Sequence, residues 1–160
     1  MKKFIVVLTV FIAFSCNSIA QNKKTKAKKT FEVTKTTAEW KDQLTDKEFY
    51  VLRQAGTEHA FSSDLNKNNS AGVYVCKGCD TPLFKSEDKF DSGTGWPSFD
   101  KFIKGNVELS TDYDLGYART EEHCATCGGH LGHVFNDGPK STTGERHCIN
   151  GVSLKFVPKS

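Results

Sequence analysis

Five of the six cysteines in this chain fall into patterns that chemistry can use. Cys76-Lys77-Gly78-Cys79 and Cys124-Ala125-Thr126-Cys127 together read C-x2-C-x44-C-x2-C. Two such knuckles supply four thiolates to a tetrahedral ion such as Zn2+, and a site closed by four sulfurs is structural, with no position open to substrate. The long interval makes it a clamp between distant strands. Two disulfides are an alternative in an exported chain, and a redox CxxC dithiol is another. The glycines within and after the knuckles (Gly78, Gly128, Gly129) favour the metal. Sulfurs held in this way leave Cys148 as the thiol available for reaction.

Cys148 sits in Gly144-Glu145-Arg146-His147-Cys148-Ile149-Asn150, at the head of a strand-like run. A lone strand cysteine is commonly a small buried hydrophobe, but this one has polar neighbours. Alternation along a strand puts Arg146 and Asn150 on the face of Cys148. There a guanidinium favours the thiolate, and an amide offers a donor. His130-Leu131-Gly132-His133 adds two imidazoles, flanked by glycines that let the backbone come close; metal ligation or a plain polar turn are the alternatives. Polar groups converging on one thiol describe an activated nucleophile. The loop from Asp91 to Phe99, constrained by Gly93, Gly95 and Pro97, presents Trp96 as a ring able to receive a ligand, although most such rings fill a core.

These residues need a scaffold, and 160 residues suit one domain. Hydrophobic residues make up 37%, part of them in residues 4–14, so the remaining core is modest and calls for a staple. Twelve Phe, two Trp and four Tyr exclude a wholly disordered chain. No run after residue 20 approaches spanning length, which excludes a multi-pass membrane protein. The formal charge of +3 belongs to the N-terminal tail, because residues 37–160 hold 14 basic and 18 acidic side chains. That balance argues against a basic nucleic-acid face on the domain, and no nucleic-acid partner is expected.

Thr36 with Glu39, and Thr45 with Glu48, match the capping box. Phe49, Leu52 and Ala55 then form an apolar stripe, and Gly56 is a natural stop. One or two short helices are expected over 37–55. From Gly72 the pattern changes to short strand-like runs: GVYVC, PLF, VELS, GYARTEEHC, LGHVF and HCINGVSLKFV, separated by turn formers. No βαβ alternation is present, which removes doubly wound and thioredoxin-like folds. The expected fold is a mainly β, antiparallel domain preceded by short helices.

Met1-Lys2-Lys3 and the apolar run Phe4–Phe14 form a signal peptide, residues 1–20, too short to span a bilayer permanently. Cleavage after Ala20 fits ordinary signal peptidase. Ala13-Phe14-Ser15-Cys16 also looks like a loose lipobox, which would place a lipid anchor on Cys16. The protein is expected in the periplasm or as a membrane-anchored lipoprotein of the cell envelope. Residues 21–36, with six lysines against Glu32, read as a basic flexible linker to the domain at 37–160.

GVYVCKGC, FDSGTGWPSF, CATCGGHLGHVFNDGPK and RHCINGVSLKF closely resemble signature segments of the B-type methionine sulfoxide reductases, over roughly residues 37–157. The resemblance implies reduction of the R epimer of methionine sulfoxide, mainly in proteins. It also implies two antiparallel sheets, forming a small barrel or sandwich, with N-terminal helices. By resemblance Cys148 is the nucleophile that becomes a sulfenic acid, and Trp96 packs on the substrate methyl. His130 and His133 hold and help protonate the sulfoxide oxygen, Arg146 and Asn150 position substrate and nucleophile, and Asp137 lies near that network. Cys76, Cys79, Cys124 and Cys127 match a structural zinc set, one ion per chain, and no organic cofactor is implied. The implied partners are oxidised proteins or peptides and a thioredoxin-like or small-molecule thiol reductant, with the enzyme acting as a monomer.

Two departures stand out. Many members carry a resolving cysteine as GCGW, where this chain has Thr94 in SGTGW, so a one-cysteine cycle relying on an external thiol is expected. His147 stands where an aromatic residue often precedes the nucleophile. The rival readings are a non-catalytic zinc module and a CxxC thiol–disulfide oxidoreductase. The acidic domain weighs against the first and the missing βαβ pattern against the second, and neither accounts for Trp96, His130, His133 and Cys148 together.

Overall fold

Helix starts are set by side chains reaching their own backbone, and both expected capping boxes form. In the computed structural model, which describes residues 30–159, the Thr36 hydroxyl accepts from the Glu39 N–H while the Glu39 carboxylate accepts from the Thr36 N–H. Thr45 and Glu48 repeat the arrangement. They begin α1 (Thr37–Gln43) and α2 (Asp46–Gln54). The stripe differs from expectation: Val51 and Leu52 are fully buried, Phe49 is half-buried and Ala55 is exposed. The left-handed residue that ends α2 is Ala55, at φ 54°, rather than Gly56. Gly56 instead lies under the Tyr50 ring, which a Cβ there would have to displace.

Among the described residues nine strands follow: β1 (Gly72–Cys76), β2 (Pro82–Lys85), β3 (Lys89–Phe90), β4 (Ser98–Phe99), β5 (Val107–Asp112), β6 (Arg119–Cys124), β7 (His130–Phe135), β8 (Arg146–Ile149) and β9 (Leu154–Pro158). They form two antiparallel sheets, ordered β2-β1-β9 and β3-β4-β8-β7-β6-β5. The run at 147–157, expected as one strand, is divided. A 3-10 turn at Gly151–Ser153 carries the chain from the middle of the larger sheet to the edge of the smaller one. The reason is Glu58, whose carboxylate accepts from the Gly151 N–H and, at 3.3 Å, from the Val152 N–H. Those two donors are then unavailable to a continuous ladder.

Aromatic rings fill much of the core. Phe84 stacks on Phe99 with centroids 4.4 Å apart, and Tyr74 meets Phe99 edge-on at 5.0 Å. Trp40, Leu44 and Leu52 pack the helices against this cluster beside Cys76, Cys124 and Cys127. The described end of the basic segment touches the domain, since the Val33 N–H donates to the Thr126 carbonyl in the second knuckle. The expected signal peptide, Cys16 of the expected lipobox and residues 21–29 of the expected linker lie outside the described residues. Among the described residues no helix is long and apolar enough to cross a membrane.

Candidate active site

β8 lies in the interior of the larger sheet, between β4 and β7, with Cys148 opposite Ser98 on one side and His133 on the other. The sheet can close this tightly because residue 132 is glycine: a Cβ there would strike the Cys148 carbonyl. Cys148 is half-buried at the bottom of a cavity of about 170 Å3, whose walls include Trp96, His133, Arg119, Phe135 and Asn150. Burial pushes the Cys148 thiol up from its ordinary value; the Arg146 charge is the largest influence in the other direction, followed by the Thr94 hydroxyl. The activation expected from Arg146 is therefore present but outweighed by burial. Thr94 Oγ1 stands 4.0 Å from Cys148 Sγ, and Ser92 joins Thr94 to Ser98 by two 2.8 Å contacts.

The two histidines reach one side of the sheet through an irregularity. Strand residues three apart normally face opposite ways. Here Glu122 pairs with Gly132 while His123 pairs with His130, leaving Leu131 as an extra residue. The rings of His130 and His133 come within 5.5 Å. Each is held by a carboxylate, one from the adjacent strand and one from the strand beyond it. His130 Nδ1 lies 2.7 Å from Glu121 on β6, and His133 Nε2 lies 2.8 Å from Asp112 on β5. Asp112 also meets Arg119. Its carboxyl is pushed down to about 2 by the Asp114 N–H first and His133 next. Burial lowers the His133 pKa, with Asp112 opposing.

Not every expected residue lines the Cys148 cavity. His130 opens instead into an adjoining space of about 330 Å3, which shares Thr57, Arg119 and His133 with the first. Arg146 is gripped by Asp137 through two bonds of 2.8 and 2.9 Å and stacks 4.6 Å over Phe135. Asp137 is thus brought to Arg146, not to the cavity wall. Asn150 does line the cavity, but its Oδ1 accepts from the Glu58 N–H at 2.9 Å and its Nδ2 donates to the Leu131 carbonyl at 3.0 Å. The Trp96 indole N–H donates to the Glu58 carbonyl at 3.1 Å. Glu58 therefore ties Trp96, Asn150 and the 3-10 turn together. Sequence reading missed it, as it missed Asp112, Arg119 and Glu121, because no local motif marks them.

On the far face of β8, His147 is fully buried and its Nδ1 lies 2.7 Å from Glu122 of β6, itself without exposure. The ring meets Phe102 edge-on at 5.2 Å. Burial raises the Glu122 carboxyl. Where an aromatic residue would pack, this chain places a buried imidazole–carboxylate pair.

The four knuckle sulfurs converge, all within 4.8 Å of one another. Cys76 and Cys127 are 3.7 Å apart and Cys79 and Cys124 3.5 Å, and all four are free thiols. A tetrahedron with metal–sulfur bonds of about 2.3 Å has edges of about 3.8 Å, so the spacing suits a metal ion. A disulfide, at about 2.05 Å, would hold its sulfurs far closer.

With this geometry in place, comparison with known proteins becomes informative. A model described as the SelR domain matches residues 44–158. A "Peptide methionine sulfoxide reductase MsrB" of Leptospira interrogans is 52% identical over 127 residues, 79% of this chain and 96% of that protein. A protein of the same name from Methanosarcina barkeri is 51% identical over 125 residues, covering 78% and 87%. The mouse "Methionine-R-sulfoxide reductase B3, mitochondrial" is 45% identical over 132 residues, covering 82% and 52%. The matched span holds both knuckles, Trp96, the histidine pair and Cys148, and the chain belongs to the family of B-type methionine sulfoxide reductases.

Proposed function

We propose that this chain reduces the R epimer of methionine sulfoxide in proteins, using Cys148 as nucleophile. The observation that carries the reading is that Cys148, Trp96 and His133 line one cavity of about 170 Å3, the volume of some five or six water molecules and enough for a side-chain sulfoxide. A sulfoxide has an apolar methyl, an oxygen carrying partial negative charge and a pyramidal sulfur. Epimers are told apart only if all three are engaged. Trp96, fixed through its indole N–H, offers the apolar wall. His133, held at Nε2 by Asp112, keeps Nδ1 for the oxygen. Cys148 Sγ approaches the sulfur.

In the reaction the Cys148 thiolate attacks the sulfoxide sulfur while a proton reaches the oxygen; the S–O bond breaks, and the new S–S bond breaks in turn as the hydroxyl passes to Cys148 Sγ. The sulfoxide sulfur gains two electrons and leaves as the thioether of methionine. Cys148 loses two and becomes the sulfenic acid. An external thiol then displaces water to give a mixed disulfide, and a second thiol restores Cys148 and departs as disulfide. Thr94 at 4.0 Å has no sulfur to intercept the sulfenic acid, which supports a one-cysteine cycle with a thioredoxin-like or small-molecule reductant. Cys76, Cys79, Cys124 and Cys127 would hold one zinc ion as a clamp between the turn after β1 and the turn after β6. The apolar leader at residues 4–14 supports repair of oxidised proteins in the cell envelope.

The test offers each epimer of a blocked methionine sulfoxide with excess dithiol, beside Cys148→Ser. Loss of only the R epimer, abolished in the variant, is the expected result. Turnover that survives in Cys148→Ser, or none by the folded parent, would sink the reading.

A further inference from the structure

Beside the cavity that holds Cys148 lies the second space, walled by Thr111, Asp112, Tyr113, Asp114 and His130; Thr57, Arg119 and His133 line both, so the two sit side by side as a trough. A free methionine sulfoxide would leave the second part empty. The trough ends at the tip of the β5–β6 hairpin, residues 113–118, where the Gly116 N–H closes a turn on the Tyr113 carbonyl at 2.8 Å. That tip displays Tyr113, Leu115 and Tyr117 at 66%, 60% and 59% exposure. β5 is the outer strand of its sheet, and among the described residues no further strand pairs with it. Three large apolar side chains on six consecutive residues is a concentration that soluble surfaces ordinarily avoid unless it contacts something.

We propose that the hairpin tip and the second cavity form a docking surface for the polypeptide flanking the methionine sulfoxide, with preference for apolar and aromatic neighbours. The proposal rests on the Cys148 cavity being the reaction site, as argued above. The occupant follows from continuity and chemistry. A chain whose sulfoxide side chain reaches Cys148 can extend past Arg119 and His133 into the adjoining space, whose wall includes Tyr113. Methionine is mostly a core residue, and its oxidation disrupts cores, so the segments around a sulfoxide are rich in apolar side chains newly exposed to water. Tyrosines at the tip supply apolar contact area at small cost in side-chain entropy.

The test uses the full-length protein and a variant carrying Tyr113→Ser, Leu115→Ser and Tyr117→Ser, all at an exposed tip. Three readouts are taken: turnover of a blocked single-residue R sulfoxide, turnover of a peptide with phenylalanine on both sides of the sulfoxide, and binding of the matching sulfone peptide, which cannot be reduced. Turnover of the single-residue substrate is expected to stay within about twofold, while KM for the peptide and Kd for the sulfone rise about tenfold, the loss of a modest hot spot. Equal losses on both substrates, no loss on either, or an unchanged sulfone Kd would overturn the proposal. If the parent turns over neither substrate, the reaction assignment fails, and the sulfone Kd still decides the docking surface.

Discussion

His133 Nε2 lies 2.8 Å from Asp112 Oδ2, and on its other side Asp112 meets Arg119, which lines both halves of the trough. The carboxylate thereby engages Nε2 and leaves Nδ1 as the nitrogen for the proposed sulfoxide oxygen. Burial and Asp112 act in opposite directions on His133. Replacing Asp112 by Asn removes the influence that keeps the imidazole able to hold a proton. The expected outcome is a fall in kcat of roughly tenfold, less than the roughly 10²–10⁴ that a proton-transfer group supplies itself. The limb of the pH–rate profile set by His133 should move to lower pH. An unchanged profile would separate Asp112 from the reaction.

Cys148 is held above its ordinary pKa by burial and pulled back by Arg146. Its thiolate fraction therefore rises with pH through the neutral range. Arg146→Gln should move the pH dependence of Cys148 alkylation further upward, each unit lowering the thiolate at pH 7 about tenfold, or about 1.4 kcal/mol. Asp137→Asn, which releases the grip on Arg146, should give a smaller change. Alkylation rates across pH measure both.

Glu58 is buried, and its carboxylate caps the turn between β8 and β9 while its backbone joins Asn150 and Trp96. Glu58→Ala strips charge-assisted hydrogen bonds from two backbone donors and should cost about 1.5–3 kcal/mol. Trp96 should loosen with it. Urea denaturation gives the first quantity, and the Trp96 contribution to fluorescence anisotropy follows the second, with Trp40 as the buried reference.

The Glu122–His147 pair sits in the core with no water contact. Removing one partner of a buried pair typically costs about 3–5 kcal/mol, whereas replacing both by apolar residues is neutral or stabilising by about 1–4 kcal/mol. Glu122→Val alone should therefore destabilise, and Glu122→Val with His147→Phe should recover or exceed the parent. Their side chains lie on the face of β8 opposite Cys148, so the double variant should keep its thiol reactivity. A double-mutant cycle in urea measures the coupling.

Zinc analysis should find one ion per chain. Zinc-finger peptides bind the metal with about 10–16 kcal/mol of apparent free energy, comparable to the whole stability of a small domain. Stripping the ion, or Cys79→Ser, should depress Tm sharply and broaden unfolding. Full retention of Tm after the metal is removed would deny the clamp its structural role.

Local physics was readable in the sequence. Thr36 and Thr45 announce helices because a capping side chain acts within three residues, and both boxes form. The two CxxC knuckles announce a four-sulfur site because each pair is short-range. Alternation put Cys148 and Asn150 together, and Gly132 signalled a close backbone approach. What only the tertiary structure decided is partnership across the sheet. Asn150 finds the Glu58 backbone 92 residues away, and His130, His133 and His147 each find a carboxylate on β5 or β6. Strand register selects those partners, and one extra residue, Leu131, changes which side chains share a face. Register depends on the packing of whole sheets, while a strand's own sequence carries only its alternation. The same reason hid the break between β8 and β9: the run 147–157 reads as one strand until a distant glutamate claims its backbone donors.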